Sequence, residues 1–173
     1  GNFGRSCVHS QSNEKAFQAW LAVCAVHEFG LSRVVREVHL DKKQLFALIR
    51  RSPDFQLDSI IAGYESGNEL FPDLSVMWEP DIDTRHSHTR NQEYADANVM
   101  LPQIAIITEF KVTGSTSNPT PRSQIITDLQ KLAVFRSAHD SIVPIADGPR
   151  AELATYLVVL DNFCDATGTP RLP

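Results

Sequence analysis

The stretch "IAIITEFKV" at 104–112 constrains the chain most. Its Ile and Val content suits a buried strand. Glu109 and Lys111 do not, and they stand two apart, which on a strand puts both on one face. Ala105 and Ile107 share that face and are apolar, so it is at least partly covered. A covered strand face bearing an acid and a base calls for a chemical reason.

The other elements follow from local pattern. Residues 12–29 predict a helix, with Phe17, Trp20, Leu21 and Cys24 on one face, Ser12 as N-cap and Gly30 as stop. Val23, Ala25 and Val26 extend its apolar surface, so it is expected to be well buried. "RVVREVHL" (33–40) predicts a strand. "DKKQLFALIRR" (41–51) predicts a helix capped by Asp41, carrying Leu45, Leu48 and Ile49, and ended by Pro53. Residues 56–68 suggest a short helix and a turn.

"FPDLSVMWEP" (71–80) alternates, with Leu74, Val76 and Trp78 on one side and Asp73, Ser75 and Met77 on the other. The polar run 81–102 reads as a long exposed loop. The 103–112 strand follows, then the turn-forming "TGSTSNPTPRS". "RSQIITDLQKLAVFRSAH" (122–139) predicts a second helix with an apolar stripe of Ile125, Ile126, Leu129, Leu132 and Ala133. Gln124, Asp128 and Lys131 form a polar line beside it. "ATYLVVLDNF" (154–163) predicts a last buried strand.

The order α, β, extra helix, β, β, α, β predicts one α/β domain of 173 residues, a length that buries a sizeable core. Its sheet is mixed and its middle strands form a long hairpin. The core is expected over about 12–165, with a helical insertion at about 41–68 and the long loop at about 81–102. No apolar run approaches the roughly 20 residues of a membrane span, and nothing at the N-terminus reads as a secretory signal. Cys7, Cys24 and Cys164 are scattered and odd in number, which speaks against a disulfide framework or a thiolate zinc site and favours a reducing cytoplasm. A net charge of −5 argues against wrapping nucleic acid by bulk positive charge, while a few local Arg and Lys remain compatible with touching it.

In an antiparallel hairpin the start of one strand faces the end of the next. Asp73 would then meet Glu109 and Lys111. Two neighbouring carboxylates repel, and a hard divalent cation relieves them. A lysine beside such a cation positions a water or stabilises phosphoryl charge.

"PD" at 72–73 followed by "EFK" at 109–111 resembles the PD-(D/E)xK phosphodiesterase superfamily, the restriction-endonuclease-like nucleases. The resemblance covers about 15–165 topologically. It implies an αβββαβ core, a mixed β-sheet flanked by helices, with the 41–68 segment as an insertion after the first strand. It implies Mg²⁺, with Mn²⁺ as substitute, bound by Asp73, Glu109 and the backbone carbonyl of Phe110. Lys111 would orient the attacking water, and Gln124 and Lys131 would line the site from the second helix. An acid from the first helix often completes such sites: Glu14 is the first candidate, Glu28 and the strand residue Glu37 its competitors. The 36-residue gap from Asp73 to Glu109 departs from the family by its length. Asp81, in the second "PD", would shorten it but follows the alternating run instead of leading it.

Read without the resemblance, Asp73 is a turn residue after Pro72, Glu14 a helix-dipole acid, and Gln124 and Lys131 the wet side of a helix. His86 and His88 hint at zinc but lack further ligands at useful spacing. Two functions are therefore expected to compete. One is a metal-dependent nuclease cutting DNA, cytoplasmic and without a membrane, with a homodimer favoured if both strands are cut. The other is an inactive nuclease-like module for nucleic-acid binding or assembly.

Overall fold

The computed structural model describes residues 14–50, 69–82, 96–113, 122–142 and 152–161. Helix α1 spans Glu14–Phe29 and ends at Gly30, whose φ of 90° suits glycine above other residues. The chain then runs through a 3₁₀ turn (Leu31–Arg33) into strand β1 (Val34–Val35), strand β2 (Leu40–Asp41), helix α2 (Lys42–Ile49) and strand β3 (Glu69–Leu70). Strand β4 (Leu74–Met77), helix α3 (Ala97–Met100), a second 3₁₀ turn (Leu101–Gln103), strand β5 (Ile104–Thr113), helix α4 (Arg122–Ile142) and strand β6 (Ala154–Asp161) follow. Four strands form a mixed sheet in the order β1-β4-β5-β6, and β2 pairs with β3 in a separate ribbon. The β1–β4 and β4–β5 pairs are antiparallel, and β5–β6 is parallel.

The fold is thus mixed α/β, a four-stranded mixed sheet flanked by helices, as the sequence led one to expect. The long strand β5 is central because its apolar residues are needed on both faces. Phe110 and Val112 pack with Phe17 and Leu21 of α1 on one side. Ile107 packs on the other with Leu132 and Phe135 of α4 and Leu45 and Ile49 of α2. Side chains of alternate parity point to opposite faces, so Glu109 and Lys111 go with Ile107, toward α4.

Several expectations are corrected. The 33–40 segment is not one strand. It bends at Arg36 and Glu37, where Glu37 takes φ 53°, and its two ends pair in different sheets. The described part of the 41–68 insertion bears out its predicted helix. Asp41 caps α2 by accepting from Gln44 N–H at 2.8 Å, as expected, and α2 buries Leu45, Leu48 and Ile49 in the main core. The end of the supposed 81–102 loop is structured. Asp96 caps α3, and Ala97, Met100 and Leu101 are buried, because the short helix plugs the same core. Pro53, the 56–68 segment, Ser12, the 114–121 linker, and His86 and His88 lie outside the described residues.

Burial of the helices was also misjudged. Helix α1 buries Phe17 and Ala25 but leaves Trp20 44% and Val23 65% exposed, since only one of its sides meets the sheet. Helix α4 turns a different face inward than its apolar stripe suggested. Asp128, Leu132, Phe135, Ala138 and His139 are buried, whereas Ile126 and Leu129 are exposed. Asp128 and Lys131 of the polar line face the sheet because β5 presents charges there, and apolar packing takes over only farther along the helix. Strand β6 stands at the end of the sheet order and is half covered, with Tyr156 and Val159 exposed. No helix among the described residues is long and apolar enough to cross a membrane.

Candidate active site

Pro72 and Asp73 precede β4 at the point where the β1-β4-β5 ladder ends. Leu74 pairs with Thr108 and Ser75 with Ile107, so one further antiparallel step sets Asp73 opposite Glu109. Strand pairing beyond Leu74 is replaced by a side-chain bond: Phe110 N–H donates to Asp73 Oδ2 at 2.7 Å. A strand residue's N–H and C=O leave on the same edge. The Phe110 carbonyl therefore points to the Asp73 side, past the start of β4.

Four carboxylates and two lysines gather here. Lys131 Nζ lies 2.6 Å from Glu109 Oε2. It also donates to the Phe71 carbonyl at 3.1 Å and stands 5.9 Å from the Phe71 ring centre. Lys111 Nζ is held between Asp128 Oδ2 at 3.4 Å, from α4, and Glu14 Oε1 at 3.7 Å, from the first turn of α1. Two ammonium groups against four carboxylates leave an excess of two formal negative charges before any proton is counted.

The protein has not neutralised this excess with its own donors. Glu109 is 2% exposed, and its Oε1 has no hydrogen-bond partner. Asp128 Oδ2 is also buried, and its contact to Lys111 falls short of hydrogen-bond geometry. Among the described residues these are two of the three such buried side-chain atoms, the third being Ser75 Oγ. Leaving a buried acceptor unmatched costs about 1–3 kcal/mol. Asp128 Oδ2 is offset by its ion pair with Lys111, whereas the unmatched Glu109 Oε1 marks a site with another purpose than stability.

Ionisation follows from this. Burial raises the Glu109 pKa to about 8, with Asp73 and Asp128 adding to the rise and Lys131 opposing it. Burial likewise raises Asp73, against the pull of the Phe110 N–H and of both lysines. Burial works against the Lys111 ammonium, yet Asp128 and Glu14 outweigh it, so its pKa lies above the ordinary lysine value. Lys111 is thus a fixed cation. It can position a water or meet a phosphoryl oxygen, but it is no proton acceptor at neutral pH.

Compared with known proteins, the chain matches no family model, no curated protein and no solved structure. Functional meaning must come from the geometry itself.

Of the residues singled out in the sequence, Asp73, Glu109, Lys111, Lys131 and Glu14 meet in this cluster. Glu28 does not. It is exposed in the last turn of α1, about 21 Å along the axis from Glu14 at 1.5 Å per residue. Glu37 is exposed at the bend that leaves the sheet, and Asp81 is exposed in a turn where its N–H bonds the Ser32 carbonyl. Gln124 is exposed one turn before Asp128, and its side chain touches none of the cluster's charged groups. Sequence reasoning missed Asp128 as a site residue. It belongs to the polar line Gln124, Asp128, Lys131, but nothing in the helix's own sequence marks it as the buried member.

A divalent cation suits this donor set. Among the described residues no three His, Cys, Asp or Glu side chains converge closely enough to hold a metal by themselves. Mg²⁺ asks for less, taking one or two carboxylates and keeping several waters. Asp73, the unmatched Glu109 Oε1 and the Phe110 carbonyl are hard oxygen donors of that kind.

Proposed function

We propose that the chain is a metal-dependent nuclease of the PD-(D/E)xK kind that hydrolyses DNA phosphodiester bonds. The observation that carries this reading is the unmatched, buried Glu109 carboxylate set opposite Asp73, with the Lys111 ammonium on the same strand face. The order of α1, β1, β4, β5, α4 and β6 supports it, as does the antiparallel register that joins the two halves of the motif. Asp73, Glu109 and the Phe110 carbonyl would hold Mg²⁺, or Mn²⁺ in its place. When bound, the metal offsets phosphate charge and makes water a better nucleophile.

The chain's own residues do the rest. Lys111, held by Asp128 and Glu14, donates to the attacking water or to a non-bridging phosphate oxygen and so fixes the line of attack. Lys131 adds positive charge beside Glu109, where negative charge accumulates in the transition state. Gln124, exposed one turn before Asp128, would reach the substrate backbone.

One observation favours a second reading, an inactive nuclease-like module for nucleic-acid binding or assembly. Lys131 already occupies one oxygen of Glu109 at 2.6 Å, as a lysine would in a site that has given up its metal. Calorimetric titration with Mg²⁺ separates the two, because a relic binds the ion poorly. The direct test is cleavage of plasmid and oligonucleotide DNA in Mg²⁺ or Mn²⁺. Wild type is expected to cut, and D73A, E109A and K111A to lose cutting while retaining the wild-type circular dichroism spectrum. Absence of cutting by wild type on every DNA form would refute the catalytic reading.

A further inference from the structure

The approach to the cluster carries a feature that the chemistry above does not use. Phe71, two residues before Asp73, is 42% exposed although it is a large aromatic side chain. Its ring is not left to swing. His39, from the segment between β1 and β2, stacks on it with ring centres 4.9 Å apart and planes 27° from parallel. Its backbone is fixed as well, because the Phe71 carbonyl accepts from Lys131 Nζ at 3.1 Å. The same Nζ lies 5.9 Å from the ring centre and 2.6 Å from Glu109. At 5.9 Å the ammonium lies over the ring at the outer limit of cation–π contact, and the residue still keeps 42% of its surface open.

We infer that Phe71, backed by His39, is a stacking platform for an unpaired nucleobase, and that the site accepts single-stranded DNA or a frayed end in preference to continuous duplex. This rests on the nuclease reading for the position of the phosphate. Lys131 ties the platform to Glu109, so a base lying on Phe71 belongs to the nucleotide at, or next to, the phosphate that a cation on Asp73 and Glu109 would hold. A base inside a duplex already stacks on its neighbours and offers no free face. An unpaired base does, and any of the four bases can use an aromatic platform because each has a π-face.

The test is fluorescence anisotropy with the full chain in Ca²⁺, which offers a hard cation for binding, using a labelled oligothymidine and a hairpin duplex of equal nucleotide count. Wild type is expected to bind the single strand more tightly. Phe71→Ala should weaken single-strand binding by roughly 5- to 150-fold, the range for losing one base–aromatic stack, and leave duplex binding unchanged. Phe71→Trp should retain it, and Phe71→Leu, which keeps the apolar bulk, should behave like Ala. Equal binding by wild type and F71A, equal losses on both DNA forms, or no binding of either form by wild type would overturn the platform. A parallel cleavage assay in Mg²⁺ keeps the two claims apart. Selective single-strand binding that depends on Phe71, without cleavage, upholds the platform and refutes the nuclease reading. Cleavage of both DNA forms that is indifferent to Phe71 does the reverse.

Discussion

Replacing Glu109 by glutamine sets the cost of the site against the stability of the fold. The side chain is buried and its pKa stands at about 8, against 4.5 in the unfolded chain. Between those values the folded protein keeps a proton that the unfolded chain has released. Stability therefore falls as pH rises through this window and levels off above 8. A separation of that size corresponds to about 5 kcal/mol, with the attraction of Lys131 already included in it. Glutamine resembles the protonated acid and carries no such dependence. Its amide brings a donor that must find a partner, an offset of about 1–3 kcal/mol that does not vary with pH. The stability of the variant relative to wild type should thus grow by about 4 kcal/mol from pH 5 to pH 8.5. For a chain of this size that moves the difference in Tm by roughly 8–16 °C, read by thermal circular dichroism in chelator. A difference that stays flat, or shrinks as pH rises, would refute the claim that Glu109 is a buried acid kept for function at a cost to the fold.

Three more outcomes follow from the same geometry. Mg²⁺ binding at pH 7 should release close to one proton, because the ion displaces the one on Glu109, and the release should fade above about pH 9; calorimetry in buffers of different ionisation enthalpy measures it. Asp128→Asn should lower cleavage by about 10- to 100-fold with little change in Tm, since it loosens Lys111 without emptying the core, and in a double-mutant cycle with Lys111→Ala the two losses should not add. Phe17→Ala should destabilise the chain by about 3–5 kcal/mol in urea unfolding, because Phe17 and Phe110 form the contact between α1 and the sheet, and Glu14 depends on that contact for its place near Lys111.

Much of the site was legible in the sequence because strands report themselves. An apolar run interrupted by Glu109 and Lys111 has a single natural register with a partner that opens on Asp73, and the observed pairing has that register. The cap at Asp41 and the stop at Gly30 were local signals read from a few residues. What failed depended on what lies across from an element. Helix α4 has two faces that could go inward, and its own sequence favoured the one with Ile126 and Leu129. The charges of β5 decided otherwise, and no periodicity within α4 contains them. The same blindness hid Asp128, whose burial is set by Lys111 and not by its neighbours along the helix. The break at Glu37 was invisible because a left-handed residue that is not glycine leaves no compositional mark.

Everything functional here depends on Asp73 and Glu109 sharing one divalent cation. Anomalous scattering at the manganese edge, from a crystal of the wild-type protein soaked in Mn²⁺, locates that ion directly. A peak within bonding distance of both carboxylates, absent in E109Q, is the expected result. A fully soaked crystal with no peak there, or with manganese bound only at surface carboxylates elsewhere, would contradict it.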